Sequence, residues 1–185
     1  LKLTCVANYQ VQNHGFWTAP DKSYVLISTA AGVFRYVPPT TPEGAWDVTC
    51  LLVQPTSDIV ATDFDGDGKL EILTFSKFHG DTLAIWHEGE TRDRYEQVWC
   101  DPQKRSFLHA LWAAELDGEK CAVIGNRKDG RDLLLVRYVD GEYTVDVIDH
   151  DLGPANCMVY THDGSDYIAA AYRETDQLAL YKVVE

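Results

Sequence analysis

One short loop in the sequence has carboxylates at regular spacing. In the segment DFDGDGKLE, residues 63–71, acidic side chains alternate with other positions. Counted from the first residue, carboxylates stand at positions 1, 3, 5 and 9 and a backbone carbonyl at position 7, from Asp63, Asp65, Asp67, Glu71 and Lys69 respectively. Hard oxygen ligands at this spacing suit Ca²⁺, whereas the alternative is an Asp-Gly turn without metal. The spacing therefore predicts structural calcium.

A second set of reactive side chains is spread along the chain. His14, His79 and His109 each stand beside a strand-like run. Three imidazoles with a nearby carboxylate suit Zn²⁺, Mn²⁺ or Fe²⁺. Imidazole can also remove a proton beside a carbonyl or carboxylate near neutral pH, and Arg127 or Arg173 would neutralise the developing negative charge. Either chemistry requires a fold that brings these catalytic candidates together.

The elements available to position these residues are β-strands. Short runs rich in Val, Ile, Leu and Tyr alternate with turn residues, and helical periodicity is nearly absent. Four segments align on a turn whose aspartates, separated by 44, 52 and 46 residues, are Asp21, Asp65, Asp117 and Asp163. A period of about 40–50 residues with four strands per unit is typical of propeller blades. The sequence predicts an all-β, β-propeller fold with four-stranded blades.

The chain has four blades' worth of strands, which we predict to form a single domain over residues 1–185. The predicted blades are 11–53, 57–100, 107–149 and 155–185, the last completed by residues 1–9. An N-terminal strand in that place would close the last blade without an open sheet edge. Either the four blades close on themselves, or they are part of a ring of seven or eight blades.

The blade register sorts the polar residues onto two faces. The turns between first and second strands, and between third and fourth strands, share one face with the acidic loop; we call it the turn face. The other loops lie on the opposite face, the top face, where successive blades contribute His14, His79 and His109. We therefore expect the three imidazoles to converge. Candidate substrate-binding residues of the top-face loops are Asp81, Asn126, Asn156, Glu174 and Asp176.

Each top-face residue also has an interpretation without ligand chemistry. A histidine at the start of a strand often does no more than hydrogen-bond to a neighbouring blade. Asn156, within GPAN, fits a turn residue, and Arg173 with Glu174 fits an ion pair between blades. Three histidines on one predicted face keep the site hypothesis open beside these alternatives.

The segment DFDGDGKLEI resembles the FG-GAP/VCBS-type propeller repeat, and the later repeats HALWAAELDGEKCAVIGN and GPANCMVYTHDGSDYIAAAY are similar to the same family. The resemblance covers the chain by blade pattern, although only one repeat has a full metal loop. It implies a propeller with its site on the top face. Related propellers include lectins, integrin heads, polysaccharide lyases and aldos-2-ulose dehydratase-like proteins, which implies a carbohydrate ligand.

Composition limits the classes of partner. The net charge of −13 repels phosphate backbones and anionic lipid headgroups, so we expect neither nucleic acid nor membrane as a partner. The five cysteines lie in apolar runs without a CxxC pair, which favours reduced, buried thiols. No signal peptide is visible, and we predict a cytoplasmic location.

Three functions fit these observations. The first is a carbohydrate-active enzyme in which top-face histidines catalyse lyase or dehydratase chemistry, with or without Zn²⁺ or Mn²⁺. The second is a calcium-stabilised propeller that binds a glycan or protein without turnover. The third is a scaffold whose blades complete a larger ring, by self-association or with a partner chain.

Overall fold

A computed structural model describes Leu3, Cys5 and residues 12–184. The described residues form fifteen strands: β1 (Phe16–Thr18), β2 (Val25–Thr29), β3 (Gly32–Val37), β4 (Asp47–Leu52), β5 (Thr56–Thr62), β6 (Glu71–Ser76), β7 (Leu83–Glu88), β8 (Tyr95–Cys100), β9 (Leu108–Leu116), β10 (Glu119–Asn126), β11 (Leu133–Val139), β12 (Glu142–Asp149), β13 (Pro154–His162), β14 (Ser165–Tyr172) and β15 (Gln177–Lys182). No helix able to cross a membrane is found in this part of the chain.

The strands form four antiparallel sheets in chain order. The first three sheets have four strands each, β1–β4, β5–β8 and β9–β12, and the fourth has three, β13–β15. Each sheet is a meander in which consecutive strands pair. This all-β architecture is that of a β-propeller with four-stranded blades, as the repeat predicted.

Apolar seams hold successive sheets together. One cluster joins the first and second sheets, another the second and third, and another the third and fourth. Large side chains buried in these three seams are, in order, Leu26 and Ile72, Phe75 and Ile124, and Leu133 and Tyr172. Within residues 12–184, no such cluster joins the fourth sheet to the first. The described sheets therefore pack in chain order, and both alternatives for the ring stay predictions, since residues 1–9 lie almost wholly outside the described part.

The aligned turns have the geometry that Asp-Gly sequences favour. Asp117 and Gly118 both have positive φ, and so do Asp163 and Gly164. Two such residues between antiparallel strands form the tight turn that matches strand twist. These two turns, at the third and fourth of the four aligned aspartates, agree with the predicted alignment.

The N-terminal strand proposed to complete the last blade, residues 1–9, lies outside the described residues except for Leu3 and Cys5. The prediction that every cysteine is buried is wrong: Cys121 and Cys157 are buried, but Cys5 and Cys100 are exposed. Cys100 ends β8, the outer strand of its sheet, where one side faces solvent.

Candidate functional site

The three histidines from successive blades meet on the top face. His14 precedes β1, His79 lies between β6 and β7, and His109 is the second residue of β9. The ring centroids are 4.8 Å apart for His14 and His79, 4.9 Å for His79 and His109, and 6.2 Å for His14 and His109. We call these three residues the imidazole cluster. The blade register had placed them on one face, and the fold brings them into contact.

Aromatic rings extend the imidazole cluster. The ring of His79 is nearly parallel to those of His109 and Phe107, at interplanar angles of 8° and 10°. The His14 ring stands edge-on to His79 and to Phe78, whose side chain is largely exposed. The cluster is therefore a packed group of rings reached from solvent beside Phe78.

Two residues of this group have an uncommon backbone conformation. His79 and Phe107 have φ of 49° and 62°, which side chains other than glycine seldom adopt. Such positions persist only where surrounding contacts hold them, and they occur often at functional sites. The backbone N–H of His79 donates to Ser57 Oγ at 3.3 Å, which ties the loop to the start of β5.

The ring nitrogens differ in their partners. His109 Nδ1 lies 2.8 Å from the carbonyl oxygen of Ala155, and since a carbonyl only accepts, Nδ1 donates there. The Nδ1 atoms of His14 and His79 are buried and lack a hydrogen-bond partner. His14 Nδ1 is 3.7 Å from Asp58 Oδ2, close enough for an ion pair when the ring is protonated. The cluster thus has unused donor and acceptor capacity.

Burial sets the protonation of this region. It lowers the pKa of His79, an effect that His109 and His14 reinforce, and it lowers the pKa of His109 despite the bond to Ala155. Burial also raises the pKa of Asp58, against a hydrogen bond from the Ile59 backbone. The environment therefore favours neutral imidazoles at His79 and His109, the form that accepts a proton.

A glycine makes the approach of the first two blades possible. A Cβ on Gly15 would lie 2.0 Å from Asp58 Oδ1 and 2.8 Å from Asp58 Cα. The Gly15 N–H donates to the Ser57 carbonyl at 3.1 Å, and Ser28 Oγ donates to the same carbonyl at 2.7 Å. The absence of a side chain here lets His14 reach Asp58.

The two candidate arginines are in different situations. Arg127 forms hydrogen bonds with Glu174, the shortest 2.6 Å from Nη2 to Oε1, and its guanidinium carbon is 5.0 Å from the Phe107 ring centroid. Arg173 is largely exposed and lies 3.6 Å from Glu174. The ion pair between blades is thus Arg127–Glu174, whereas Arg173–Glu174 lies within one loop. Arg127 borders the imidazole cluster.

The remaining substrate-binding candidates do not join the cluster directly. The Asn126 amide bonds to backbone groups of its own loop, donating to the Lys128 carbonyl at 2.6 Å. Asp81 is exposed and pairs with Lys104 at 3.3 Å, and Asp176 is also exposed. Asn156 lies in β13, not in a turn, and its Oδ1 accepts from the Cys157 N–H. Of these four, Asn156 lines a groove along the inner strands.

An open groove of about 530 Å³ runs below the imidazole cluster along the inner strands. His14 and Asp58 stand in its wall, with Asn156, Trp17 and Trp112. The two tryptophans differ in their burial. Trp17 does contact two apolar seams, but Trp112 is 41% exposed. The groove therefore presents aromatic surface and polar groups together.

The turn face holds the group of side chains best arranged for a metal. Ligand atoms of Asp65, Asp67, Glu71 and His87 all lie within 4.8 Å of one another, and we call these four residues the acidic cluster. Asp63 and Lys69, which the loop pattern included, are outside it. The Oδ2 of Asp63 instead accepts from the Gly68 N–H at 3.1 Å. The structure thus supports a metal-binding cluster in this loop, while calcium stays a prediction.

Sequence reasoning had given His87 no role. His87 stands in β7, one residue beyond the cross-strand pair of Ile72 with Trp86, so it faces Glu71 across the hairpin. The signal that would have found it is the register of this hairpin, not the spacing within the loop.

The three imidazoles do not offer a comparable set. Among residues that the structure describes, only the acidic cluster brings three or more potential ligands so close. Parallel stacking of His79 on His109 directs their nitrogens past each other rather than toward one point. The hypothesis of Zn²⁺ or Mn²⁺ at the top face stays a prediction, and this geometry favours proton transfer there.

Among the four residues of the acidic cluster, Glu71 is the most deeply buried. Its side chain has no solvent exposure, and burial raises its pKa to about 7 despite a hydrogen bond from the Phe64 N–H. The pKa of His87 is also raised, because hydrogen bonds to Asp67 and to the Glu88 carbonyl outweigh its desolvation.

Solved structures share this fold. Two Bacteroides proteins, each described as a "putative 6-phosphogluconolactonase", have TM-scores of 0.62: that of B. uniformis at 17% identity over 94% of this chain, and that of B. fragilis at 16% over 93%. A chain of the yeast Nup82–Nup159–Nup116 nucleoporin complex has a TM-score of 0.60 at 7% identity over the whole chain.

These likenesses establish the fold alone. This chain spans 51% of each Bacteroides protein and 65% of the nucleoporin-complex chain. No protein-family model and no curated protein matches the sequence. Fold and sites together define the class: a set of β-propeller blades with an imidazole cluster on one face and a metal-competent acidic cluster on the other.

Proposed function

We propose that the chain is a carbohydrate-active propeller whose imidazole cluster exchanges protons with a sugar-derived ligand. Membership of the FG-GAP/VCBS-type group is part of this proposal. The observation that supports it best is the meeting of three histidines from three blades, two of which have a buried Nδ1 without a partner. A buried polar atom without a hydrogen bond costs about 1–3 kcal/mol, and ligand hydroxyl groups would remove that cost.

The chemistry follows from protonation. Neutral His79 or His109 would accept the proton beside a carbonyl or carboxylate, and a protonated His14, paired with Asp58, would return one to the leaving oxygen. Arg127 would stabilise the negative charge that develops between these steps. This is β-elimination or dehydration. Opening of a sugar lactone, the reaction in the name of the Bacteroides neighbours, also requires a base to activate water.

A second candidate is binding without turnover. The groove below the cluster favours it, because exposed Trp112 provides a flat surface beside the polar Asn156 and Asp58. Tyrosine and tryptophan combine apolar rings with a polar end and suit amphipathic ligands such as sugars.

The test compares His79→Asn with His150→Asn. Asparagine tolerates the positive φ of residue 79, and His150 is an exposed histidine distant from the cluster in the sequence. Wild-type protein is incubated with uronic-acid oligosaccharides and sugar lactones, with absorbance at about 235 nm reporting elimination and acid release reporting lactone opening. We expect turnover that falls about 100-fold or more in His79→Asn and not in His150→Asn.

The same panel separates the two candidates. Binding by calorimetry without turnover supports the glycan-binding alternative and rejects catalysis. The proposal is contradicted if no compound of the panel is bound or turned over. It is also contradicted if His79→Asn and His150→Asn are equally active.

We further propose that a second copy of the chain covers the outer face of the fourth sheet. This face is apolar: Ala169 of β14 pairs with Met158 on one side and with Leu180 on the other, and Leu178 is 79% exposed. In each of the first three sheets, the corresponding apolar face packs against the next sheet along the chain. The first sheet offers the complementary surface through Phe16, Ile27 and Phe34, which pair side by side.

Light scattering after size exclusion tests this self-association. We expect twice the 20.8 kDa chain mass, and the single-chain mass for Leu178→Asp but not for Val147→Asp, an exposed position of another sheet. A single-chain mass for the wild type up to about 100 µM would reject it, since stable interfaces of standard size associate more tightly.

A further inference from the structure

The acidic cluster differs from an all-oxygen loop because it includes an imidazole. His87 Nε2 is 3.1 Å from Asp67 Oδ2 and 3.7 Å from Glu71 Oε1. The residue comes from β7, outside the loop of residues 63–71. Any cation held by the four side chains would therefore have one nitrogen ligand.

A buried atom without a partner points into the same space. Glu71 has no solvent exposure, and its Oε1 lacks a hydrogen-bond partner while facing His87. The other carboxylate oxygen, Oε2, accepts from the Phe64 N–H at 2.6 Å, which fixes the orientation of the group. A buried carboxylate oxygen is costly unless a hydrogen bond or a cation satisfies it.

The orientation of His87 suits a metal ligand. Its Nδ1 is 2.7 Å from the Glu88 carbonyl oxygen, which can only accept, so Nδ1 has the proton. In the neutral ring, the lone pair of Nε2 is then directed at the carboxylates. Histidines that bind metals almost always donate their other N–H to a carbonyl or carboxylate in this way.

The loop backbone leaves carboxylate oxygens available. Asp65 Oδ1 accepts from the Asp67 N–H at 3.1 Å, and Asp67 Oδ1 accepts from the Lys69 N–H at 2.8 Å. The second oxygen of Asp65 therefore stays available for a cation, and that of Asp67 faces His87 Nε2 at 3.1 Å. A groove of about 620 Å³ between the second and third sheets reaches Asp65, Asp67 and His87 from solvent.

We propose that the acidic cluster binds a first-row transition-metal ion such as Zn²⁺ or Mn²⁺ in preference to Ca²⁺, with His87 Nε2 as the selecting ligand. Ca²⁺ takes six to eight oxygen ligands, whereas imidazole with carboxylates suits zinc and its neighbours. The site is separate from the imidazole cluster, so it does not depend on the proposed sugar chemistry.

The experiment titrates EDTA-treated protein with Zn²⁺, Mn²⁺ and Ca²⁺ by calorimetry. It compares wild type, His87→Gln and His150→Gln. His150 is a matched control because it also contacts an aspartate, Asp151, at 2.8 Å, and within the described part of the chain it belongs to no group of three close ligand atoms. Co²⁺ serves as a spectroscopic probe, since its visible absorption reports nitrogen coordination.

We expect one equivalent of Zn²⁺ bound at least about tenfold more tightly than Ca²⁺. His87→Gln weakens Zn²⁺ about tenfold or more and leaves Ca²⁺ nearly unchanged, because glutamine replaces nitrogen with oxygen. His150→Gln has no effect. Circular dichroism of each variant without metal verifies folding, and the Co²⁺ spectrum of the wild type gives a test that requires no variant.

Three results would overturn the proposal: Ca²⁺ binding as tight as Zn²⁺, Zn²⁺ affinity unaffected by His87→Gln, or no binding of any of the ions. A wild-type Co²⁺ spectrum typical of oxygen ligands alone would do so as well.

Discussion

The two faces of this molecule use histidine in opposite ways. On the top face, His79 and His109 stack on each other and on Phe107, and burial lowers their pKa values. On the turn face, His87 stands among carboxylates, and hydrogen bonds raise its pKa. The environment therefore favours neutral imidazoles at His79 and His109. At His87 it favours a protonated imidazole or a bound cation.

The two histidine environments differ because the imidazole cluster is built from three sheets and the acidic cluster from one. Blade loops on the top face converge from three sheets, so they place rings against rings with little charge between them. The acidic cluster is built within one sheet, by a loop and its hairpin partner, and concentrates negative charge around Glu71. A site between blades suits a ligand, and a site within a blade suits a stabilising ion.

The largest expected effect concerns the charge of Glu71 without metal. Its pKa in the folded protein is about 7 against 4.5 when unfolded, so the folded state binds more protons between these values. The stability present below pH 4.5 is lost as pH rises through about 7, by about 3 kcal/mol. Urea unfolding of EDTA-treated protein should show this decline for wild type and a flatter profile for Glu71→Gln. Glu142 is an exposed carboxylate in the groove that reaches the acidic cluster. If the decline persisted in Glu71→Gln protein but disappeared in Glu142→Gln protein, its source would be Glu142 rather than Glu71.

Metal should reverse that loss. A cation at about 100 times its dissociation constant stabilises the folded state by about 2.7 kcal/mol, which corresponds to about 5–10 °C in Tm for a chain of this size. Thermal unfolding of wild type should show the increase at pH 7.5, and Glu71→Gln should lose most of it. Glu142→Gln should keep it. Equal increases in all three proteins would indicate binding outside the acidic cluster.

On the top face, Gly15→Ala should cost about 1–3 kcal/mol, because overpacking of this size forces neighbouring atoms to shift. The added methyl group would collide with Asp58 and separate the first blade from the second. Gly89→Ala is the control, since its methyl would first meet the flexible end of Glu96 at 3.2 Å. Chemical unfolding measures both. A Gly15→Ala protein as stable as Gly89→Ala would show that the blades can separate without cost.

The smallest effect has the opposite sign to that of Glu71. The folded pKa values of His79 and His109 lie below the ordinary value of 6.5, so the unfolded chain binds more protons. Stability is therefore lost as pH falls through 6.5. His79→Asn should reduce this loss, measured by unfolding at pH 7.5 and 5.5, whereas His150→Asn should not. The wild-type protein and Glu71→Gln could instead both become more stable, and equally so, as the pH falls from 7.5 to 5.5. The assignment of this pH dependence to His79 and His109 would then be wrong.

Much of the fold could be predicted from the sequence, because propeller strands are short and local turns mark them. The strands β3, β8 and β11 fall within the predicted blades 11–53, 57–100 and 107–149, and the aspartate alignment marked turns between strands. Convergence of the three histidines followed from the blade register alone. These features depend on patterns within one repeat or on its regular recurrence.

The remaining features depend on contacts that local spacing does not encode. His87 joins the acidic cluster through hairpin register, sixteen residues after Glu71. Arg127 pairs with Glu174 across a seam, although Arg173 is the sequence neighbour. Ring stacking, which disfavours metal at the imidazole cluster, depends on side-chain torsions that the sequence does not specify.

Paramagnetic Mn²⁺ tests the contrast between the faces most directly. The histidine ring resonances of the EDTA-treated protein are assigned with single His→Gln variants and followed by NMR during addition of Mn²⁺ below one equivalent. We expect the His87 resonances to broaden first while those of His14, His79 and His109 stay sharp. Broadening of the three top-face histidines before His87 would contradict it, since the metal would then occupy the face assigned to proton transfer.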